Sequence, residues 1–329
     1  MKKVNLGIIG LGSMGKAHFD SSIKLANANL VAVSDVSKKA LRAAKNAGVK
    51  KTYTDYEQLL ADEEIDAVIV ALPNHLHLQC ASRAAEAKKH ILLEKPIARS
   101  VAEAKEIVSV CRRNSVKLMI GYLVRFNPIF RGLKEEIESG CLGDIEGAYA
   151  INIGSGPFSE RAEDNAPVPV PEWWFNKTLT GGGVLIDLGC HMVNLLRWYF
   201  GEITDIRSQL SYRFNMDFED SATCLAKFSS GTTAVIRVGW FSKELLLKVE
   251  LLGTAGHTEG RFESKNNPLV TVARKLLTGN SGNQSPNFAE INYFVNCILN
   301  DSNPSPSALD ALRDMEAISL AYKNQLRMA

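Results

Sequence analysis

The stretch VNLGIIGLGSMGKAHFDSSIKLANANLVAVSD (residues 4–35) narrows the possible folds more than any other part of the chain. A short apolar run passes into Gly10-x-Gly12-x-x-Gly15. A helical stretch follows, and a second apolar strand ends on Asp35, twenty residues after Gly15. Placed between a strand and a helix, that glycine spacing predicts a dinucleotide site. Gly10 allows the tight turn, Gly12 lets backbone approach a pyrophosphate, and Gly15 lets the helix pack on the strand. Ser13 and Met14 then lie at the helix start, whose free N–H groups face the phosphates. Asp35 is placed to accept both ribose hydroxyls and to repel a 2′-phosphate, which favours NAD. Lys38 and Lys39 follow closely and keep NADP open.

Alternation continues through DAVIVALPN (66–74), HILLEKP (90–96) and VKLMIGY (116–122), each strand-like and separated by helical stretches. This repetition predicts a doubly wound parallel sheet over residues 1–122, followed by a second domain over 123–329. Ligands of such sheets lie at the carboxyl ends of the strands. Leu72, Pro73, Asn74 and His77 fall after one strand, Glu94 and Lys95 at the end of the next, and Arg125 shortly after a third. The His75-x-His77 pair offers two nitrogens without a carboxylate partner, so no metal is expected there.

The balance of 38 Lys and Arg against 36 Asp and Glu, a net charge of +2, predicts no footprint for nucleic acid or an anionic membrane. The sequence contains no run of eighteen apolar residues to suggest a membrane span. Six scattered cysteines without a CxxC pair read as free thiols, and the expected location is the cytoplasm.

A second feature needs explanation. TGGGVLIDLGCHMVNLLRWYFG (180–201) is apolar except for a few residues, among them Asp187 and His191, four apart. On an α-helix they share one face, with Cβ atoms roughly 6 Å apart. They are either a satisfied core pair or a proton-transfer site. Taken with LLEKPIA, ALPNHLH, GYLVRFNP and GLGSMG, this segment closely resembles the Gfo/Idh/MocA family over nearly the whole chain. The resemblance implies a Rossmann domain and then an α+β domain with a large, mostly antiparallel open sheet, the site lying between them. It identifies Lys95, Asp187 and His191 as the active-site set, and Gly10, Gly12, Gly15 and Asp35 as dinucleotide positions. Gly181, Gly182 and Gly183 are then expected to give unhindered approach to the cofactor and to start the helix. The implied activity is NAD(P)-dependent oxidation of a secondary hydroxyl on a sugar. The alternatives are a simple sugar or inositol dehydrogenase, an NAD-dependent glycosidase, and a non-catalytic dinucleotide-bound regulator.

From about residue 144, alternation in DIEGAYAINIG, ITDIRSQLSYRFN, DSATCLAKFSSGTTAVIRVGWF and LLLKVELLGTAGHTEGRF predicts antiparallel strands. Apolar residues on both faces of TAVIRVGWF predict a homodimer or homotetramer that covers the far side. Two long irregular stretches, 155–178 and 275–287, carry Arg161, Trp173, Trp174, Lys177 and Lys275. The two tryptophans either anchor the loop or stack on a ligand. Cations beside aromatic faces suggest a nucleotide sugar such as UDP-N-acetylglucosamine as substrate. The C-terminal SPSALDALRDMEAISLAYKNQLRMA reads as an amphipathic packing helix.

Overall fold

The computed structural model describes residues 3–158, 170–263 and 285–326. The chain divides into two compact units, Met1–Phe126 with Gly282–Leu312, and Asn127–Ser281 with Arg313–Ala329.

The first unit carries six strands: β1 (Val4–Ile9), β2 (Ala28–Ser34), β3 (Lys51–Tyr53), β4 (Ala67–Val70), β5 (His90–Glu94) and β6 (Leu118–Gly121). They pair in parallel in the order β3-β2-β1-β4-β5-β6. Helices cover a sheet of this kind on both faces, so its central strands are apolar throughout, as in the AVIV of β4, buried at every residue. Among the connecting helices are α1 (Ser13–Ser22), α2 (Lys38–Asn46), α3 (Tyr56–Leu60), α4 (His77–Glu86) and α5 (Val101–Arg113). Ser37 and Ser100 cap α2 and α5, their hydroxyls accepting the Ala40 and Glu103 amides.

The division of the chain is not linear. A helix from beyond the second sheet, Pro286–Leu299, returns to the first unit, where it packs beside α1, β1 and β5. Ile291, Phe294 and Val295 join Val4, Leu6, Ile8 and Phe19 in one core cluster. Without those three side chains the apolar faces of α1 and β1 would meet water, and that supplies the reason for the return.

The second unit begins with α6 (Pro128–Ser139), capped by Asn127 and closed by Gly140 in the left-handed region at φ 71°. Its six-stranded sheet consists of β7 (Ile145–Ile153), β8 (Ile203–Ser211), β9 (Ser221–Phe228), β10 (Thr233–Gly239), β11 (Leu246–Gly253) and β12 (Gly256–Glu263). The order is β12-β11-β7-β10-β9-β8, with β7 and β10 parallel and the other pairs antiparallel. The short helix α7 (Lys177–Thr180) and the long α8 (Cys190–Phe200) lie in the same unit. The inner face of the sheet is built from small side chains, among them Ala148, Ala150, Ala222, Ala226 and Ala234, all buried. Small residues there let α8 and the turn before it approach the strands closely. The run Lys177–Phe200 is long and apolar enough to be a membrane-span candidate by composition, yet most of it is buried inside the unit as a core helix.

Candidate active site

The first unit carries the candidate nucleotide-binding residues, from the glycine loop upward. Gly10 has φ 90°, and a Cβ there would lie 2.4 Å from the Ala71 carbonyl oxygen. A Cβ on Gly15 would lie 1.9 Å from the Gly10 oxygen. Both glycines are therefore required by the protein's own packing. Gly12 differs, since a Cβ there would meet no protein atom within 4 Å. It precedes α1, whose first turn has neither a side-chain cap nor an acid. Open space over an uncapped helix start suits a pyrophosphate, and the residues present fit a dinucleotide.

Asp35 closes over this loop. One carboxylate oxygen accepts the Leu11 amide and the other the Ser37 amide, both at 2.6 Å. The side chain thus fixes the glycine loop to the end of β2 while keeping lone pairs for ribose hydroxyls. The cap of α2 is Ser37 rather than Asp35.

At the end of β4, Leu72, Pro73 and Asn74 are each half-buried. His77 is fully buried, with its two ring nitrogens 2.9 Å from the carbonyl oxygens of Pro96 and Leu72. Burial pushes its pKa down against those two carbonyls. The ring has no exposed surface, and it ties the end of β4 to the turn after β5. Glu94 is also buried. One oxygen meets His18 Nε2 at 2.6 Å and the other accepts the Lys95 amide at 3.2 Å. Burial alone would raise this carboxyl, but the His18 hydrogen bond, with Lys95 beside it, outweighs burial and holds it below the usual range. Lys95 follows half-buried, joined to Pro96 by a cis peptide bond. Arg125, on a 3-10 turn (Leu123–Phe126), is buried, with Nη1 3.4 Å from Ser305 Oγ.

The second unit carries Asp187 and His191. The segment does not continue as a plain α-helix, because Leu185–Gly189 is a π-helical turn leading into α8. Asp187 sits in that turn and His191 in the first turn of α8, so the 100° step of an α-helix does not relate them. The three glycines have reasons within the unit. Gly181 ends α7 in the left-handed region at φ 90°. A Cβ on Gly182 would lie 2.4 Å from Tyr322 Oη, and one on Gly183 1.9 Å from the Glu219 carbonyl oxygen.

Glu219 is the residue that sequence reasoning missed. Its backbone oxygen accepts the Val184 amide at 3.0 Å, and its carboxylate accepts the Leu185 amide at 2.9 Å and the Tyr322 hydroxyl at 2.7 Å. Burial raises its pKa against those hydrogen bonds. A buried acid from the segment before β9 thereby satisfies the amides that open the Asp187 turn. Asn152 donates to the Leu188 carbonyl at 3.2 Å, and the Cys190 thiol lies 3.2 Å from the Asp187 carbonyl. Trp240 Nε1 donates to Asp187 Oδ2 at 3.3 Å. Trp174 packs against Trp240, ring centroids 6.3 Å apart, which gives it an anchoring role. Lys177 donates to the Asp217 carbonyl at 3.2 Å. Arg161 and Lys275 lie outside the described residues.

Comparison with known proteins fits this geometry. Residues 4–122 match the model of an oxidoreductase family with an NAD-binding Rossmann fold, and residues 130–259 match the GFO/IDH/MocA C-terminal domain. A myo-inositol 2-dehydrogenase of Thermotoga maritima is 29% identical over 71% of this chain and 67% of its own. A levoglucosan dehydrogenase of Pseudarthrobacter phenanthrenivorans is 31% identical over 64% of this chain, a match spanning 55% of that enzyme. The fold matches that of scyllo-inositol dehydrogenase from Lactobacillus casei, solved with NAD(H) and scyllo-inositol. The TM-score is 0.80 at 24% identity, covering 98% of this chain and 97% of that one. The chain is a member of the Gfo/Idh/MocA family, an NAD-binding oxidoreductase of the sugar and inositol dehydrogenase type.

Proposed function

We propose that the protein oxidises a secondary hydroxyl of a cyclic polyol or simple sugar, with Lys95, Asp187 and His191 acting on the reacting group. One observation carries the reading. Across Val184–Phe200, Asp187, Leu188, His191 and Trp198 keep solvent exposure while every other residue is buried. An acid and an imidazole on the open side of an otherwise buried helix, beside a pinned turn, suit proton transfer better than core packing.

Bound NAD supplies the acceptor for the hydride leaving the substrate carbon. The chain's own residues do the rest. His191 takes the hydroxyl proton, the Lys95 ammonium donates a hydrogen bond to the oxygen as negative charge develops, and Asp187 orients the imidazole. Glu94 and His77 hold the turn that carries Lys95. We assign NAD binding to residues 1–122, with the returning helix Pro286–Leu299, and substrate binding and self-association to 123–329. The names of the relatives support an uncharged polyol or sugar. A nucleotide sugar draws no support from them, and of the cations that suggested it, Lys177 faces a backbone carbonyl.

Self-association is supported by the outer face of the second sheet. Register places Tyr149, Val235 and Leu225 side by side on β7, β10 and β9, with Tyr149 and Leu225 about half exposed. We expect a dimer or tetramer at micromolar concentration, and a monomeric mass in light scattering would contradict it.

The activity test follows NADH absorbance with a panel of inositols, simple sugars and UDP-sugars. Lys95→Ala and His191→Ala should each lower turnover by about a hundredfold or more while NAD affinity changes little. Near-normal turnover in either variant refutes its role. A higher kcat/KM for a UDP-sugar than for every free polyol or sugar refutes the substrate class.

A further inference from the structure

We infer that Trp240 is a positioning residue for Asp187, its indole N–H holding the carboxylate in the orientation that serves His191. The inference rests on the assignment of Asp187 to the reaction. Trp240 follows the end of β10 and is 2% exposed. Its backbone amide donates to the Asp220 carbonyl at 2.9 Å. The indole is enclosed on several sides. Phe218 meets it edge-on, centroids 6.2 Å apart at 85°, and Trp174 packs at 6.3 Å. A Cβ on Gly156, itself at φ 54°, would fall 2.2 Å from Trp240 Cδ1. A ring packed this tightly has no freedom to swing, so the direction of its one donor is fixed by the fold.

That donor points to Asp187 Oδ2 at 3.3 Å. An indole donates and cannot accept, so it can neither take a proton from Asp187 nor pass one on. Its effect is to fix the rotamer of the carboxylate. Asp187 itself sits in a π-helical turn, a local geometry looser than an α-helix, where side-chain direction needs support from outside the helix. Support of this kind is what holds a reacting constellation in place.

Burial alone would also give a tryptophan N–H a partner, so the test must separate positioning from packing. Trp240→Phe removes the donor and keeps most of the ring. It is compared with wild type, Asp187→Asn and the double variant in NAD-dependent turnover, with melting temperature as a check on folding. Trp240→Phe should lower kcat by about tenfold, the scale of a hydrogen bond to a charged group, with KM for substrate nearly unchanged. In the Asp187→Asn background the same change should lower kcat less than twofold, because the carboxylate that the indole orients is already gone. An equal loss in both backgrounds, or none in wild type while Asp187→Asn is crippling, overturns the positioning role alone. Activity surviving in Asp187→Asn removes the assignment of Asp187, and this inference with it. Should Trp240→Phe fail to melt cooperatively, Trp174→Leu loosens the indole without deleting its donor. It should lower kcat severalfold at constant KM in wild type and leave Asp187→Asn unchanged, and equal effects in the two backgrounds refute the inference.

Discussion

Glu290 offers a direct test of the first unit's interior. It lies on the helix Pro286–Leu299, fully buried where that helix packs against α1, β1 and β5. Neither carboxyl oxygen has a hydrogen-bond partner among the described residues. Burial, with the nearby Glu94 charge adding to it, pushes its pKa well above the carboxyl range. Replacing it with Met removes a buried unsatisfied polar group, worth about 1–3 kcal/mol. For a chain of this size, roughly 2–4 °C accompanies each kcal/mol, so Glu290→Met should melt roughly 2–12 °C above wild type. The gain should depend on pH. A raised native pKa means the native state keeps a proton that the unfolded chain has released. Wild-type stability therefore falls as pH rises from the ordinary carboxyl range toward the native value. Glu94 acts in the opposite sense, since its pKa is held low. The stability it contributes is present above the ordinary carboxyl range and lost as pH falls below it. Melts followed by circular dichroism from pH 4 to pH 8 should show the Met variant's advantage growing with pH. A variant that melts below wild type at pH 8 would mean the carboxyl is satisfied, and would refute the reasoning.

Two further outcomes follow from the structure. Asp35→Ala should weaken NAD by about tenfold or more and NADP by less, because ribose contacts and the repulsion of a 2′-phosphate disappear together. Both affinities will also reflect the loosened Leu11 amide, so the NAD/NADP ratio is the informative quantity, and an unchanged ratio in fluorescence titration refutes the ribose role. In the second unit, Asp314 is fully buried and accepts from Asn194 Nδ2 at 2.6 Å and Arg197 Nη1 at 2.5 Å. Asp314→Ala leaves the Arg197 guanidinium buried with Glu202 as its other carboxylate partner and should cost about 3–5 kcal/mol in denaturant unfolding, while an unchanged midpoint would refute it.

What was legible in the sequence was legible because its causes are local. Gly10 and Gly15 carry their reason within a few residues: a left-handed turn, and a helix packed on that turn's carbonyl. The apolar strands of the first sheet announce themselves because both faces are buried. Lys95, Asp187 and His191 stand out as polar residues in apolar runs, although composition alone left the helical pair open between core and site. The two carbonyl contacts of His77 were not legible, because a histidine at a strand end reads the same whether its nitrogens face a ligand or two carbonyls. The packing of the glycines at 181–183 was hidden for a related reason. Nothing within that segment points to Tyr322, which blocks a side chain at Gly182, or to the Glu219 carbonyl, which blocks one at Gly183. Helix starts are ordinarily read from a capping side chain within three residues of the first turn. Here the Leu185 amide is met by a carboxylate 34 residues further along the chain, brought there by the antiparallel sheet. At the π-helical turn, an external acid and the Trp240 indole supply contacts that the helix's own sequence does not. Periodicity describes how a segment repeats along its own axis, so a turn held by Glu219, before β9, and Trp240, after β10, has no signature within residues 180–191.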